Sequence, residues 1–174
     1  MTALAGPWVV VSGLLLLGGA LKVARPGDTA RALEAVGLPG SATLVRLGGV
    51  GEVAIAAGAL ATGARFFAVL MAASYVAFLV FVIATLRKET PLSSCGCFGK
   101  EDTPPTLIHV CVNLVAAGVA VAAAITRPPS LASVVADQPG WGIPFLLLAA
   151  VGVYLAFLAL TTLPRVLAAP LGAR

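Results

Sequence analysis

Two cysteines separated by a single glycine are the residues best suited to chemistry in this sequence. Cys95 and Cys97 flank Gly96 in a polar segment, residues 87–104. A disulfide needs Cα atoms about 4.4–6.8 Å apart, and a bent tripeptide with glycine at its centre meets that requirement. Such a small ring constrains the unfolded chain little, whereas a strained, exposed disulfide is readily exchanged. The pair therefore predicts a redox couple that cycles between dithiol and disulfide.

The charges near the pair act in both directions, because Lys100 favours a reactive thiolate while Glu101 and Asp102 oppose it. Lys100 lies three residues after Cys97, and a nearby cation favours the thiolate form of a cysteine. Asp102 or Thr103 is expected to cap the next helix, with Pro105 in its first turn. The positive end of that helix would then act in the same direction as Lys100.

Two other interpretations of the cysteines remain open, because they can be incidental loop thiols or metal ligands. Cys95 and Cys97, followed by His109 and Cys111, supply four ligands of the kind that zinc accepts. Residues i and i+2 of a helix point about 200° apart, so His109 and Cys111 are not expected to face one ion. Cys111 is instead expected to be a buried packing thiol, with a resolving thiol for the pair as its alternative role. A two-thiolate Cu(I) or Hg(II) site at the pair is then the metal alternative.

A carboxylate lies within the second long apolar segment. Glu52 follows a glycine-rich stretch and lies about 9 Å along a helix from Arg46. An ionisable residue at such depth in a membrane costs several kcal/mol and marks a functional site by default. The alternative is a packing ion pair with Lys22 or Arg46. The glycines beside Glu52 allow a neighbouring helix to approach closely.

His109 and Asn113 are four residues apart and so share one face of a helix. Asn113 lies about 12 Å beyond Pro105, which gives these side chains the same depth as Glu52, Lys22 and the cysteine segment. This common depth predicts one site in which His109 or Glu52 moves the proton that accompanies thiol chemistry. The alternative role for His109 is a hydrogen bond between helices.

The elements that position these residues are membrane-spanning helices. The 174 residues are 60% hydrophobic and 10% charged, with a mean hydropathy of +1.05, whereas soluble domains carry about 25% charged residues. This composition excludes a disordered chain, a nucleic-acid-binding domain and an ordinary soluble enzyme. We predict an all-α integral membrane bundle in the lipid bilayer, a single domain with a four-helix core and a fifth C-terminal transmembrane helix. The predicted spans are residues 6–23, 44–62, 66–86, 105–126 and 142–163.

The distribution of positive charge predicts the orientation. Of the 11 lysine and arginine residues, only Arg65 and Arg127 fall on one face, and the other nine share the face of the cysteine segment. The positive-inside rule places those nine in the cytoplasm and the N-terminus outside, in a cytoplasmic (inner) membrane. Trp8 and Trp141 would then be anchors at the outer interface. Residues 26–41 are expected to form a short amphipathic helix on the inner surface or a solvated loop.

The order of these features resembles the MauE/DoxX-like family of redox-associated membrane proteins, in particular its MauE-like branch. The resemblance covers residues 5–126 and rests on Cys95-Gly96-Cys97-Phe98-Gly99, Lys22, the glycine-rich Glu52 segment and Asn113. It implies a bundle associated with thiol–disulfide chemistry beside a thioredoxin-like partner. For MauE itself it implies maturation of methylamine dehydrogenase, whose small subunit is rich in disulfides. An exported client of that kind implies an outward-facing pair, whereas the charge distribution places the pair inside.

The sequence thus predicts a membrane thiol–disulfide redox protein. Cys95 and Cys97 would exchange electrons with a thioredoxin-like protein or a quinone, and Lys22 and Asn113 would line the site with Glu52. Two hypotheses from other classes remain: a soft-metal or small-solute binding or transport protein, and a non-catalytic scaffold subunit of a larger membrane complex.

Overall fold

The computed structural model describes residues 3–87 and 105–164. Five helices in these ranges are long and apolar enough to cross a membrane. They confirm the predicted all-α membrane bundle, and their ends lie within two residues of the predicted ends. The spanning helices are α1 (Ala5–Ala24), α3 (Ala42–Thr62), α4 (Arg65–Arg87), α5 (Leu107–Thr126) and α7 (Ile143–Thr161).

Shorter elements complete the described chain. Helix α2 (Pro26–Ala35) follows α1, helix α6 (Leu131–Ala136) follows α5, and a 3₁₀ turn (Pro139–Gly142) precedes α7. Helix α2 shows that a helix rather than a loop forms in this region. Ala30 is buried and Leu33 is partly buried, while Arg31 and Glu34 are exposed.

Helices α1 and α3 approach each other through glycine. A Cβ atom added at Gly19 would lie 2.7 Å from the carbonyl oxygen of Gly49, and one added at Gly49 would lie 2.7 Å from that of Gly19. Small residues allow this close backbone contact between membrane helices. The contact confirms the expected role of the glycines at Gly49, while Gly48 and Gly51 face open space.

The core lies between α1, α3, α4 and α5, and α7 packs on its outside. Trp8, Leu15 and Met71 are buried beside alanines of α3 and α5. In an 18-residue apolar stretch of α7 only 6% is buried inside the protein, against 50% in the corresponding stretch of α1. Helix α7 therefore presents most of its apolar surface outward, as a helix in lipid does.

One interface prediction is wrong. Trp8 is fully buried in the core, so its ring does not anchor the chain among lipid headgroups. The ring instead fills volume beside small side chains, among them Ala68, which is also fully buried. The side chain of Trp141 lies outside the described part of the structure.

The glycine contact gives a matched test of the fold. Gly49→Ala should lower the free energy of unfolding by about 1–3 kcal/mol, because the added methyl group overpacks a backbone contact. Its neighbour supplies the control: Gly48→Ala should be neutral or stabilising by up to about 1 kcal/mol, since alanine is the better helix former. Denaturation of the purified protein in mixed micelles of rising SDS content measures both. Equal stability of the two variants would contradict the packing of α1 on α3.

Candidate functional site

A buried ion pair joins α1 to α3. Lys22 Nζ lies 2.5 Å from Glu52 Oε1, and their side chains are only 8% and 11% exposed. Of the two partners considered for Glu52 from the sequence, the structure selects Lys22. The ammonium group also lies 4.2 Å from the ring centre of Phe78, a cation–π contact that partly replaces its lost hydration.

The geometry of the glycine contact explains this pairing. A Cβ atom added at Gly19 would meet the side chain of Glu52, and one added at Gly49 would meet the side chain of Lys22. Gly19 therefore faces Glu52, and Gly49 faces Lys22. The backbones are close enough for the lysine stem to run along α3 to the carboxylate. The glycines therefore position the ion pair as well as the helices.

A small internal cavity lies beside this pair. It is lined by the polar side chains of Lys22, Glu52, Tyr75, His109 and Asn113, together with apolar side chains of α1, α4, α5 and α7. Its volume of about 30 Å³ is room for about two water molecules, since one needs roughly 10–15 Å³. The structure thus brings together four residues predicted to share one depth, and adds Tyr75.

Two buried polar atoms of this group lack a hydrogen-bond partner among the described residues. They are Oε2 of Glu52 and Nε2 of His109. Burying a polar group without a partner is costly, and polar cavities of this size hold ordered water that satisfies such atoms. Water in the cavity would therefore connect the carboxylate side of the site with the imidazole side.

His109 is oriented by the first turn of α5. Thr106 is the N-cap residue, and its backbone N–H donates to Nδ1 of His109 over 3.3 Å. Because Nδ1 accepts this bond, the neutral imidazole carries its proton on Nε2. The backbone of Leu160 on α7 interacts with the imidazole, but no described group reaches hydrogen-bond geometry at Nε2.

This arrangement corrects the predicted cap. The sequence predicted Asp102 or Thr103 as the N-cap with Pro105 inside the helix, but α5 begins at Leu107, after Thr106. His109 stands at the third helical position, where it completes a capping box in the place that glutamate or glutamine usually takes. Asp102 and Thr103 themselves lie outside the described residues.

Asn113 and Tyr75 give the cavity fixed polar walls. The Asn113 side-chain amide donates to the carbonyl oxygen of His109 over 2.7 Å, and the Tyr75 hydroxyl donates to that of Val11 over 2.6 Å. Sequence analysis did not select Tyr75. The sequence feature that could have identified it is a phenol side chain near the middle of an apolar span, far from the membrane interfaces where tyrosine is common.

Cys111 lies on the opposite side of α5 from this site. It is exposed, while His109 is 1% exposed, so the prediction of a buried packing thiol is wrong. The reason is the helical period, which turns position 111 away from the inward face that carries His109, Asn113 and Ala116. The same period confirms that His109 and Cys111 do not face one ion. Within residues 3–87 and 105–164, no three His, Cys, Asp or Glu side chains cluster as metal ligands.

The cysteine pair and Lys100 lie outside the described residues. The segment that carries them joins the end of α4, at Arg87, to the start of α5, at Leu107. His109 is therefore the lining residue of the cavity closest in sequence to the pair.

Comparison with protein-family models matches residues 1–127 to the family described as Methylamine utilisation protein MauE. No curated protein and no solved structure matches the chain. The match includes the cysteine pair and every polar side chain of the cavity, and it ends before α7. It confirms the resemblance to MauE.

The ion pair predicts a specific pattern of stability. Lys22→Met should lower the free energy of unfolding by about 3–5 kcal/mol, because it leaves a buried carboxylate without its counter-charge. The double variant Lys22→Met/Glu52→Leu should recover most of that loss, since two apolar side chains of similar size need no partners. SDS denaturation of the parent, the Lys22→Met and Glu52→Leu single variants and the double variant measures the coupling free energy between the two side chains. Independent, additive effects of the two substitutions would contradict a direct ion pair.

Proposed function

This chain belongs to the MauE family of membrane proteins, and from that membership we propose that it is a thiol–disulfide redox protein serving the maturation of a partner protein. Cys95 and Cys97 are its redox couple. The observation that best supports this proposal is the polar cavity that Lys22, Glu52 and His109 line together, because it brings a carboxylate and an imidazole to one internal space.

Disulfide exchange with a thioredoxin-like protein supplies the electron chemistry. One thiolate of the pair attacks the disulfide of the partner and forms a mixed disulfide, and the second cysteine resolves it. The partner gains two electrons and two protons, and the Cys95–Cys97 disulfide forms. The reverse sequence reduces the pair, so the direction depends on the relative reduction potentials of the two proteins.

The cavity supplies a path for the protons. Oxidation of two thiols releases two protons, and carboxylate and imidazole groups are the usual acceptors in proteins. His109 starts the path because it stands in the first turn after the cysteine segment. Glu52 ends it with an oxygen that no described group engages, and water in the cavity bridges the two.

A lipid-soluble quinone is the second electron partner in this proposal. When bound, it would accept two electrons and two protons from the membrane side of the protein, whereas a thioredoxin-like protein reaches the pair from water. One cysteine pair then suffices, with both partners on a single membrane face. Lys22 and Glu52 fit such a group, because they place a donor and an acceptor side by side.

The charge distribution supports one orientation for this chemistry. Nine of the 11 lysine and arginine residues lie on the face of the cysteine segment, which favours a cytoplasmic segment and an external N-terminus in a cytoplasmic membrane. A larger membrane complex would accommodate α7, whose apolar surface is mostly exposed.

Thiol labelling tests the redox couple and its orientation together. In a Cys111→Ser background, a membrane-impermeant maleimide should label the pair only after mild reduction, in inverted vesicles and not in intact cells. The control is a further Cys97→Ser substitution, which cannot form the disulfide and should leave Cys95 labelled without reduction.

Thiols that are always free would contradict the redox couple, and labelling that requires a chelator would favour a soft-metal site. Normal maturation of the partner protein by a Cys95→Ser/Cys97→Ser variant would favour the hypothesis of a non-catalytic scaffold subunit.

Loss of the proton acceptor should slow the redox reaction. In proteoliposomes, Glu52→Gln should slow oxidation of the pair by a short-chain quinone by about 10²-fold, the lower end of the range for general acid–base groups. Glu34→Gln, which changes an exposed carboxylate on α2, is the matched control and should react at the parental rate. The rate is measured by quenching the remaining free thiols with maleimide at successive times. Oxidation of Glu52→Gln at the parental rate would assign Glu52 a structural role only.

A further inference from the structure

A second, larger pocket lies on the other side of the ion pair. It has a volume of about 330 Å³ between α2, α3 and α4, and it shares Lys22, Glu52 and Phe78 with the internal cavity. Small-molecule sites occupy roughly 300–1,000 Å³. We call this space the outer pocket, and it is large enough for the ring of a small organic molecule.

Apart from Lys22, Glu52 and Thr29, the residues that line the outer pocket are apolar, and some of them are exposed. Leu33, Leu38, Leu44 and Phe81 line it with Phe78, and Leu38 and Leu44 are 50% and 52% exposed. Leu38 precedes α3 and Leu44 lies in its first turn, so the exposed side of the pocket lies at one end of the spanning helices. Apolar walls at the edge of the bilayer favour a lipid-soluble ligand.

The polar end of the pocket selects a neutral ligand. Lys22 and Glu52 already neutralise each other, so the phosphate of a phospholipid or the carboxylate of a fatty acid would add an uncompensated charge beside Glu52. Burying such a charge at low dielectric is costly. A cation would meet the same objection beside Lys22.

The pair also selects a ligand that can both accept and donate a hydrogen bond. The Lys22 ammonium group is a donor and the Glu52 carboxylate is an acceptor, and both residues line the outer pocket. A quinone carbonyl would accept from Lys22, and the hydroxyl of the quinol would donate to Glu52. Phe78 and Phe81 offer aromatic surface for the ring.

We propose that the outer pocket binds the ring of a lipid-soluble quinone, with Lys22 and Glu52 as its polar contacts and its tail in the bilayer. The physiological role of this site rests on the proposed thiol–disulfide function, but binding itself does not. Forming the Cys95–Cys97 disulfide releases two electrons and two protons, which is the stoichiometry that reduces one quinone to one quinol. Glu52 lines both spaces, so a proton can pass between the outer pocket and the internal cavity without entering lipid.

The chain offers a matched pair of variants for testing the site. Gly48 lines the outer pocket and Gly51, on the same helix, does not. A Cβ atom added at either position would meet no atom within 4 Å. Gly48→Leu should therefore fill the pocket, while Gly51→Leu should add the same bulk elsewhere, and both should leave the fold intact.

The measurement is photolabelling in proteoliposomes with a short-chain azidobenzoquinone. The label should map to α2, α3 or α4, excess decyl-benzoquinone should suppress it, and Gly48→Leu should weaken the apparent affinity by about tenfold or more. Gly51→Leu should label as the parent does, and equal SDS stability of both variants checks the fold. Labelling that is insensitive to Gly48→Leu, or that oleate suppresses and the quinone does not, would overturn the proposal.

A Cys95→Ser/Cys97→Ser variant separates this inference from the proposed function. Parental labelling of that variant shows quinone binding that is independent of the cysteines, as the outer pocket predicts. Loss of its labelling would overturn a site built from α2, α3 and α4. Failed labelling of the parent together with intact redox cycling of its cysteines would overturn the quinone site and leave the thiol–disulfide function standing.

Discussion

The close contact between Gly19 of α1 and Gly49 of α3 positions the buried Lys22–Glu52 ion pair and the two spaces that the pair lines. Two opposite charges inside a membrane bundle are tolerated only when they are close, shielded from lipid and correctly oriented. The glycine contact between α1 and α3 meets these conditions, because it lets two backbones approach until Gly49 lies opposite Lys22 and Gly19 opposite Glu52. The contact is thus part of the site, since any larger side chain would separate the helices that hold the charges.

The pair also forms the boundary between two spaces of different character. On one side lies a cavity of about 30 Å³ with His109, Asn113 and Tyr75, and on the other lies a mostly apolar pocket of about 330 Å³. In the proposed function these spaces serve the two halves of one reaction. Protons from thiol chemistry reach Glu52 through the internal cavity, and a lipid-soluble electron partner meets the same carboxylate from outside.

The sequence predicted the spans and the shared depth of Lys22, Glu52, His109 and Asn113, because apolar length and helical rise determine both. It failed where the answer depended on how helices rotate against one another. The burial of Trp8 and the inward hydroxyl of Tyr75 follow from helix packing that sequence periodicity does not encode. The exposure of Cys111 does follow from the helical period, because position 111 points about 200° away from the inward-facing His109. The cap at Thr106 depends on a histidine acting where glutamate is usual. The outer pocket was not predictable, since its volume depends on the angles and distances at which three consecutive helices pack.

In the proposed function, redox change at the cysteine pair moves a proton at Glu52. Infrared difference spectroscopy of the reduced and oxidised protein in proteoliposomes detects such a proton at the carboxyl group itself. We expect a carboxyl C=O band that changes between the two redox states and disappears in Glu52→Gln, but persists in Glu34→Gln. A difference spectrum without a carboxyl band, or with one that Glu52→Gln leaves unchanged, would contradict the coupling.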